Sequence, residues 1–150
     1  YFLLYLLVAL SSYTHSLEVD KEALGQRLFF DPILSLSKTQ SCATCHDPNA
    51  AFVDKRKNNS NGAGSSGHDE KFIGDRNTPT AAYANQTPAF HINNSGEYVG
   101  GMFWDGREAD LKEQAGGPPL NPIEMAMPNK ETIVNCLKED STHRSPFTFL

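Results

Sequence analysis

The chain has little of several features that define whole classes of proteins. It has only three cysteines among 150 residues, too few for the disulfide framework of a small secreted scaffold. Its longest apolar run covers residues 2–10, which is too short to span a bilayer. Only 13 Lys and Arg residues stand against 18 Asp and Glu residues, and the net charge of −5 argues against nucleic-acid binding. We therefore expect one domain with a modest core, no membrane span and no nucleic-acid partner.

The apolar run lies at the start of the chain and is followed by the small residues Ser11, Ser12 and Ser16. This order is typical of the apolar region and cleavage zone of a secretory signal peptide. We therefore expect residues 1–16 to be a signal peptide with a clipped start, and the protein to be exported. A buried N-terminal helix is the alternative interpretation of the same run.

The most informative segment is residues 42–46, which read CATCH and match the pattern C-x-x-C-H. Two thiols on one turn can each add to a vinyl group of a single porphyrin, and the next imidazole can then bind the iron. The pattern predicts one covalent haem c attached at Cys42 and Cys45, with His46 as the proximal iron ligand. A zinc site would need a second pair of ligands, and a thioredoxin-like pair of cysteines would need a surrounding βαβ unit. The sequence shows neither, so both alternatives are disfavoured. The third cysteine, Cys136, stands alone in an apolar helical stripe, so we expect it in the core.

Apolar spacing and helix breakers predict short helices separated by long irregular stretches. We expect helices at residues 17–30, 79–83, 108–115 and 129–137, the first of them ended by Asp31 and Pro32. Residues 54–71 are rich in Asn, Gly and Ser and show no periodicity, which predicts a long loop. The expected fold is all-α, a cytochrome c-like haem domain with long loops.

Several segments, taken in order, resemble one protein family. They read LGQRLFFDPILS before the haem motif, SCATCHDP at it, RNTPT after it, and then GGMFWDGREADLKEQA and PLNPIEM. This series resembles the N-terminal domain of the bacterial di-haem cytochrome c peroxidases, to which the methylamine-utilisation di-haem enzymes are a sister group. The resemblance implies that residues 17–150 form the N-terminal, peroxidatic haem domain. Because there is one C-x-x-C-H motif, we expect the second haem domain to be missing from this sequence.

The resemblance also implies an activity. It implies an oxidoreductase of the cytochrome-c peroxidase type, in which hydrogen peroxide is reduced to water at the haem of this domain. In the family, electrons come from a second haem domain, which is fed by a small c-type cytochrome or a copper protein. Full catalytic turnover is therefore expected to need the absent second domain. The resemblance also implies that the protein is located in the periplasm. The oligomeric state is left open, a homodimer included.

Individual residues acquire expected roles from the same resemblance. Glu124, in PLNPIEM, matches the family's distal glutamate, so we expect it to act as general acid and base during O–O cleavage. Gln114 matches a glutamine that forms hydrogen bonds in the same pocket. Trp104 matches a residue between the two haems and is expected to relay electrons. Arg107 is expected to brace its turn or to hold a haem propionate.

Two further residues match family positions that bind metals. His68 follows a glycine in the long loop and matches a histidine that occupies the sixth iron position in the oxidised resting enzyme. Reduction of the other haem releases that ligand, which a neutral imidazole on a flexible loop permits. The loop here is longer than usual, and a solvated loop histidine is the alternative. Asn77 matches one contributor to a calcium ion that the family binds between its domains.

Two other functions stay open at this stage. A mono-haem electron carrier without catalysis would need a stable sixth ligand, for which Met102, Met125 and Met127 are candidates. The single haem motif favours the carrier, whereas the segment around Glu124 favours the enzyme. A di-haem oxidase of an amine cofactor or of another protein would keep the same architecture. Its relatives lack the leaving histidine, so His68 argues against it.

Overall fold

The computed structural model describes residues 21–140, so the predicted signal peptide lies outside the described residues. The regular structure within this range is mostly helical. It consists of α1 (Lys21–Phe30), α2 (Cys42–Cys45), α3 (Leu111–Ala115) and α4 (Lys130–Glu139), with single 3₁₀ turns at Pro32–Leu34, Pro48–Ala50, Ala84–Gln86 and Pro118–Leu120. The predicted all-α class with long loops is confirmed. None of the helices in residues 21–140 is long and apolar enough to cross a membrane.

One small sheet adds to the predicted architecture. Strands β1 (His91–Ile92) and β2 (Tyr98–Val99) pair antiparallel, with His91 opposite Val99. The sequence predicts no strand in this stretch. Its two-residue strands are too short to show the alternation that identifies a strand.

Side-chain caps set most of the helix boundaries. The carboxylate of Asp31 accepts from the backbone N–H of Ile33 at 2.8 Å, which ends α1 where predicted and starts the next turn. The side chain of Asn129 accepts from the N–H of Thr132 at 2.8 Å, so α4 also begins as predicted. Helix α3 begins at Leu111, later than expected, because Asp110 is its cap and accepts from the N–H of Glu113 at 2.9 Å.

The helix predicted for residues 79–83 is wrong. The hydroxyl of Thr80 donates to the carbonyl of Ala51 at 2.6 Å, and the N–H of Ala81 donates to the carbonyl of Phe52 at 3.3 Å. Tyr83 has a φ of 59°, in the left-handed region that a right-handed helix excludes. Tertiary hydrogen bonds therefore hold this segment against the turn that follows the haem motif, in place of a helix.

The hydrophobic core of the described residues is small. Its buried apolar side chains are Ile33, Met102, Met125, Met127 and Leu137. The 3₁₀ turn after α1 packs against α4, and α1 packs against α2, so the haem motif rests on the first helix. Cys136, expected in the core, is half-buried. A domain with so few buried apolar side chains suits a large apolar cofactor, because burial of apolar surface is the main favourable contribution to folding.

Candidate functional site

Helix α2 carries the two cysteines of the C-x-x-C-H motif at its ends. The N–H of Ser41 donates to the hydroxyl of Thr44 at 2.9 Å, and the N–H of His46 donates to the carbonyl of Cys42 at 2.9 Å, which closes the turn. Both thiols are free and half-buried. Burial raises the pKa of Cys42, and it raises the pKa of Cys45 to about 11, because a thiolate is disfavoured away from water. The structure thus presents two protonated thiols on one turn.

The imidazole of His46 is oriented by the chain that follows it. Its Nδ1 lies 3.1 Å from the carbonyl oxygen of Phe52. Because a carbonyl oxygen only accepts, this contact places the proton on Nδ1 and leaves the lone pair on Nε2 for a ligand. Ala51 and Phe52 both have left-handed backbone angles, φ 53° and 58°, which turn the chain back and bring that carbonyl to the ring.

Glu124 presents a half-buried carboxyl group near the haem motif. Its Oε1 accepts from Nδ2 of Asn121 at 3.0 Å, which fixes the direction of the carboxyl. Burial raises the pKa of Glu124, although the charge of Arg107 and the bond from Asn121 act to lower it. The charge of Glu124 in turn helps to raise the pKa of Cys45. The carboxyl and the haem-attachment turn therefore lie within electrostatic reach of each other.

Three segments meet at the main chain of Glu124. Its carbonyl accepts from the N–H of His68 at 2.8 Å and from Nε2 of Gln40 at 3.1 Å. Gly67 permits this approach, since a Cβ there would lie 1.8 Å from the carbonyl oxygen of Ile123. The predicted iron ligand on the long loop and the predicted acid are thus joined through their backbones.

The imidazole of His68 also has a defined orientation. Ser37 Oγ lies 3.0 Å from Nδ1 of the ring and 2.9 Å from the carbonyl oxygen of His68, to which the hydroxyl of Thr39 donates as well. Ser37 therefore holds the His68 ring through Nδ1, and the hydrogen bonds within residues 21–140 leave Nε2 without a partner.

The structure brings together Trp104 and Asn77, two residues with separate expected roles. Nε1 of Trp104 donates to the carbonyl of Asn77 at 3.0 Å, while the side chain of Trp104 is 59% exposed. Asp105 then accepts from Arg76 at 2.9 Å and from Arg107 at 2.9 Å through both carboxylate oxygens, so the arginines lower the pKa of Asp105. The turn formed by residues 103–107 is therefore bonded to the segment around Asn77.

Arg107 and Gln114 complete the set of predicted residues. The Arg107 guanidinium lies 3.6 Å from the centroid of the Phe103 ring, so Arg107 braces its own turn. Its predicted contact with a haem propionate stays a prediction. Gln114 lies half-buried in α3 and its N–H donates to the carbonyl of Asp110 at 3.0 Å. A side-chain bond between Gln114 and Glu124 is not among the hydrogen bonds within residues 21–140, so its pocket role also stays a prediction.

Several site residues were not found from the sequence. Arg56 donates from Nη2 to the sulfur of Cys45 at 3.2 Å, and pairs with Asp54 at 2.6 Å. Gln40 is 4% exposed, and its Oε1 is a buried atom without a hydrogen-bond partner among the described residues. The sequence shows an acidic and a basic residue two positions apart after the haem motif, Asp54 and Arg56, and a polar residue, Gln40, shortly before it. Neither signal shows which way the side chain turns.

The donor set fits haem c. Within residues 21–140, no cluster of three His, Cys, Asp or Glu side chains is arranged to hold a metal ion by itself. Two thiols on one turn, followed by an imidazole whose Nε2 is free, are the groups that attach and ligate haem c. The small core and the unpartnered buried oxygen of Gln40 beside this turn agree with a large group seated there.

Comparisons with known proteins place these features in context. Residues 19–150 match the family model described as di-haem cytochrome c peroxidase. The chain is 54% identical over 128 residues to the methylamine utilization protein MauG of Paracoccus denitrificans, covering 85% of this chain and 33% of that protein. It is 41% identical over 130 residues to the cytochrome c peroxidase Ccp of Escherichia coli, covering 87% of this chain and 24% of that protein.

A solved structure agrees with the sequence comparisons. The diheme peroxidase BthA from Burkholderia thailandensis superposes with a TM-score of 0.74 at 33% identity. The match covers 82% of this chain and 30% of that one. The chain therefore spans between about a quarter and a third of the length of these relatives.

Proposed function

Since this chain belongs to the di-haem cytochrome c peroxidase family, whose members bind c-type haem, we propose that it forms the domain at which hydrogen peroxide is reduced to water. The observation that carries the proposal is the carboxyl of Glu124. It is half-buried, its pKa is raised by burial, it is held by Asn121, and it lies within electrostatic reach of Cys45. A half-buried carboxyl with a raised pKa and a fixed orientation suits the transfer of a proton.

The residues that would hold the cofactor follow from the donor set. Cys42 and Cys45 would carry haem c through two thioether bonds, and Nε2 of His46 would bind the iron. When bound, the haem supplies an iron that can take up peroxide and exchange electrons with it. The bond from His46 Nδ1 to Phe52 fixes the ring and makes Nε2 more electron-rich, as partners of iron-bound histidines generally do.

Glu124 transfers the protons in this proposal. Reduction of hydrogen peroxide to two waters consumes two electrons and two protons, and the departing oxygen needs a proton as the O–O bond breaks. Glu124 takes the proton from one peroxide oxygen and delivers it to the other. Asn121 keeps the carboxyl in one orientation, and the field of Arg107 keeps it from being locked in the protonated form.

His68 controls access in this proposal. Its ring is held through Nδ1, and its loop is tied to Ser37, Thr39 and Glu124. We propose that His68 would supply a second imidazole to the haem iron in the resting state and would have to release it for peroxide to react. Its backbone bond to Glu124 would anchor the loop beside the acid in both states.

Electrons are proposed to enter through Trp104. Its side chain is largely exposed, so it can face a second haem domain like that of the longer relatives. A small c-type cytochrome or copper protein would supply that domain in the periplasm, and Asn77 would contribute to a calcium site beside Trp104. All of these partners are part of the proposal, because this chain covers only about a quarter to a third of the length of its relatives.

A second candidate function is favoured by one comparison. The 54% identity to a methylamine utilization protein favours an enzyme in which peroxide drives oxidation of an amine cofactor or another protein. Both candidates share the reaction of this domain with peroxide. They differ in the source of the two electrons, so the reaction with peroxide tests what they have in common.

The test is a stopped-flow measurement of the haem-loaded protein mixed with hydrogen peroxide. Glu124→Gln should retain its haem and slow the reaction by roughly 100-fold or more, because removal of a general acid and base has effects of that order. Glu131→Gln, an exposed glutamate in the first turn of α4, serves as the matched control and should react like wild type. An E124Q rate equal to that of wild type would refute the proposal.

A further inference from the structure

A partly buried ion pair lies directly beside the haem-attachment turn. Nε of Arg56 donates to Oδ1 of Asp54 at 2.9 Å, and Nη2 donates to Oδ2 at 2.6 Å, so the pair is bidentate. The Asp54 side chain is only 6% exposed and that of Arg56 is 29% exposed. Such a pair is held far more rigidly than an ion pair on the surface.

The same guanidinium makes two further contacts. Nη2 of Arg56 donates to the sulfur of Cys45 at 3.2 Å and to the carbonyl oxygen of Ser66 at 3.0 Å. Arg56 therefore links the haem motif to the loop that leads to His68. The two protons of Nη2 are shared among these two acceptors and Asp54, and Asp54 anchors the guanidinium beside both, which the planar fork of an arginine permits and a lysine does not reproduce.

The two charges of the pair cancel in sum, but they are placed asymmetrically with respect to the haem-attachment turn. The guanidinium of Arg56 donates to the sulfur of Cys45 at 3.2 Å, whereas the carboxylate of Asp54 is bonded to the guanidinium itself. A haem attached at Cys45 would therefore experience a fixed positive charge at its edge. Partly buried charges act over short distances with little screening by salt.

We propose that the Asp54–Arg56 pair sets the reduction potential of the haem attached at Cys45, with Arg56 holding a positive charge against the sulfur and Asp54 limiting its effect. The inference rests on the proposed function, since it requires haem at this site. One-electron reduction of ferric haem adds a negative charge. A nearby cation therefore stabilises the reduced form and raises the potential, and a nearby anion lowers it.

The proposal makes opposite predictions for the two partners. Asp54→Asn leaves a cation at the sulfur that cannot lose its proton, so the midpoint potential should rise. Arg56→Gln leaves a buried carboxylate near the same site, so the potential should fall. The double variant removes both charges and should lie between the two single variants. Lys55→Gln removes a cation that is 61% exposed and paired with Asp47, and this control should shift the potential least.

The measurement is a spectroelectrochemical titration of this haem in the haem-loaded protein, after mass spectrometry has confirmed covalent attachment. Shifts of opposite sign for D54N and R56Q support the inference. Shifts of the same sign would show that the pair only seals the site against water, and unchanged potentials would show no role; either result overturns the inference. If R56Q does not accumulate with haem, the direction of the D54N shift decides alone. Wild-type protein without covalent haem would instead overturn the proposed function.

Discussion

The backbone N–H of His68 donates a hydrogen bond to the carbonyl oxygen of Glu124 over 2.8 Å. The predicted iron ligand and the predicted proton carrier therefore share one backbone junction, although they are far apart in the chain. Gly67 makes the junction possible, because its lack of a side chain lets the long loop touch the carbonyl of Ile123. Any change at this junction should affect the two functional side chains together.

Gly67→Ala tests the junction. The added Cβ would lie 1.8 Å from a backbone oxygen, so the two segments must separate. We expect a loss of about 1–3 kcal/mol in the free energy of unfolding, as for other overpacked sites, together with a slower reaction with peroxide. Gly25→Ala is the control, because a Cβ there has no neighbour within 4 Å and lies in helix α1. It should stabilise the protein by about 0.5–1 kcal/mol. Denaturant titration of both variants checks the contrast, and equal stabilities would contradict it.

Ser37→Ala tests the orientation of His68. The substitution removes the hydroxyl that holds Nδ1 at 3.0 Å. If Nε2 is the ligating atom, a less oriented ring should bind the iron more weakly, and the low-spin fraction of the ferric protein should decrease. Ser95→Ala, in the turn of the β-hairpin, serves as the control and should leave the spectrum as it is. A low-spin fraction unaffected by S37A would show that Ser37 does not orient the ligand.

The raised pKa of Glu124 predicts a dependence of stability on pH. Burial raises the pKa of Glu124 in the folded state above its value in the unfolded chain, so the unfolded carboxyl loses its proton first as pH rises. The stability that the neutral carboxyl contributes is complete below the unfolded pKa and is lost as pH rises through the folded pKa. E124Q carries a neutral amide at every pH, so it should gain in stability relative to wild type over that window. Unfolding curves recorded at several pH values give the comparison, and a pH-independent difference would contradict it.

Asp54 should behave in the opposite way. Burial alone would raise its pKa, but the hydrogen bonds and charge of Arg56 outweigh burial and lower the pKa of Asp54. Its contribution to stability is therefore present above the unfolded pKa and is lost as pH falls through the folded pKa. D54N should be less stable than wild type at neutral pH and should approach wild type in acid. If D54N remained equally less stable than wild type at low pH, the loss of stability would come from packing and not from charge.

Trp104→Phe tests the proposed entry of electrons. The phenyl ring keeps the exposed aromatic surface but loses the N–H that donates to Asn77. We expect electron delivery to this haem to slow when this domain is combined with a second haem domain. The control is Tyr98→Phe, another exposed aromatic side chain, on strand β2. Rapid-reaction spectroscopy with a reduced donor separates the two, and equal rates for both variants would exclude Trp104 from the route.

The local features of the fold could be predicted from the sequence. Asp31 and Asn129 are capping residues whose hydrogen bonds reach two or three positions along the chain, so their signals are local. The haem motif is equally local, because its chemistry lies within one turn. The segment 79–83 was predicted incorrectly because its hydrogen bonds go to Ala51 and Phe52, some 30 residues earlier.

The assembly of the site could not be predicted in the same way. Gln40 reaches the carbonyl of Glu124 across 84 positions, and Arg56 reaches Cys45 across 11. Nothing in composition or spacing shows where such side chains turn. The resemblance to a family pointed to Glu124 and His68 individually, but their shared junction at Gly67 emerged only in three dimensions.

The most direct test of the central claim is the absorption spectrum of haem-loaded His68→Gly before and after one equivalent of hydrogen peroxide. With the proposed sixth ligand removed, the ferric protein should be high-spin, and its spectrum should change rapidly and in proportion to the peroxide added. A low-spin spectrum that is indifferent to peroxide would show that another residue closes the iron site. That result would contradict a peroxide-reacting domain and would favour an electron carrier.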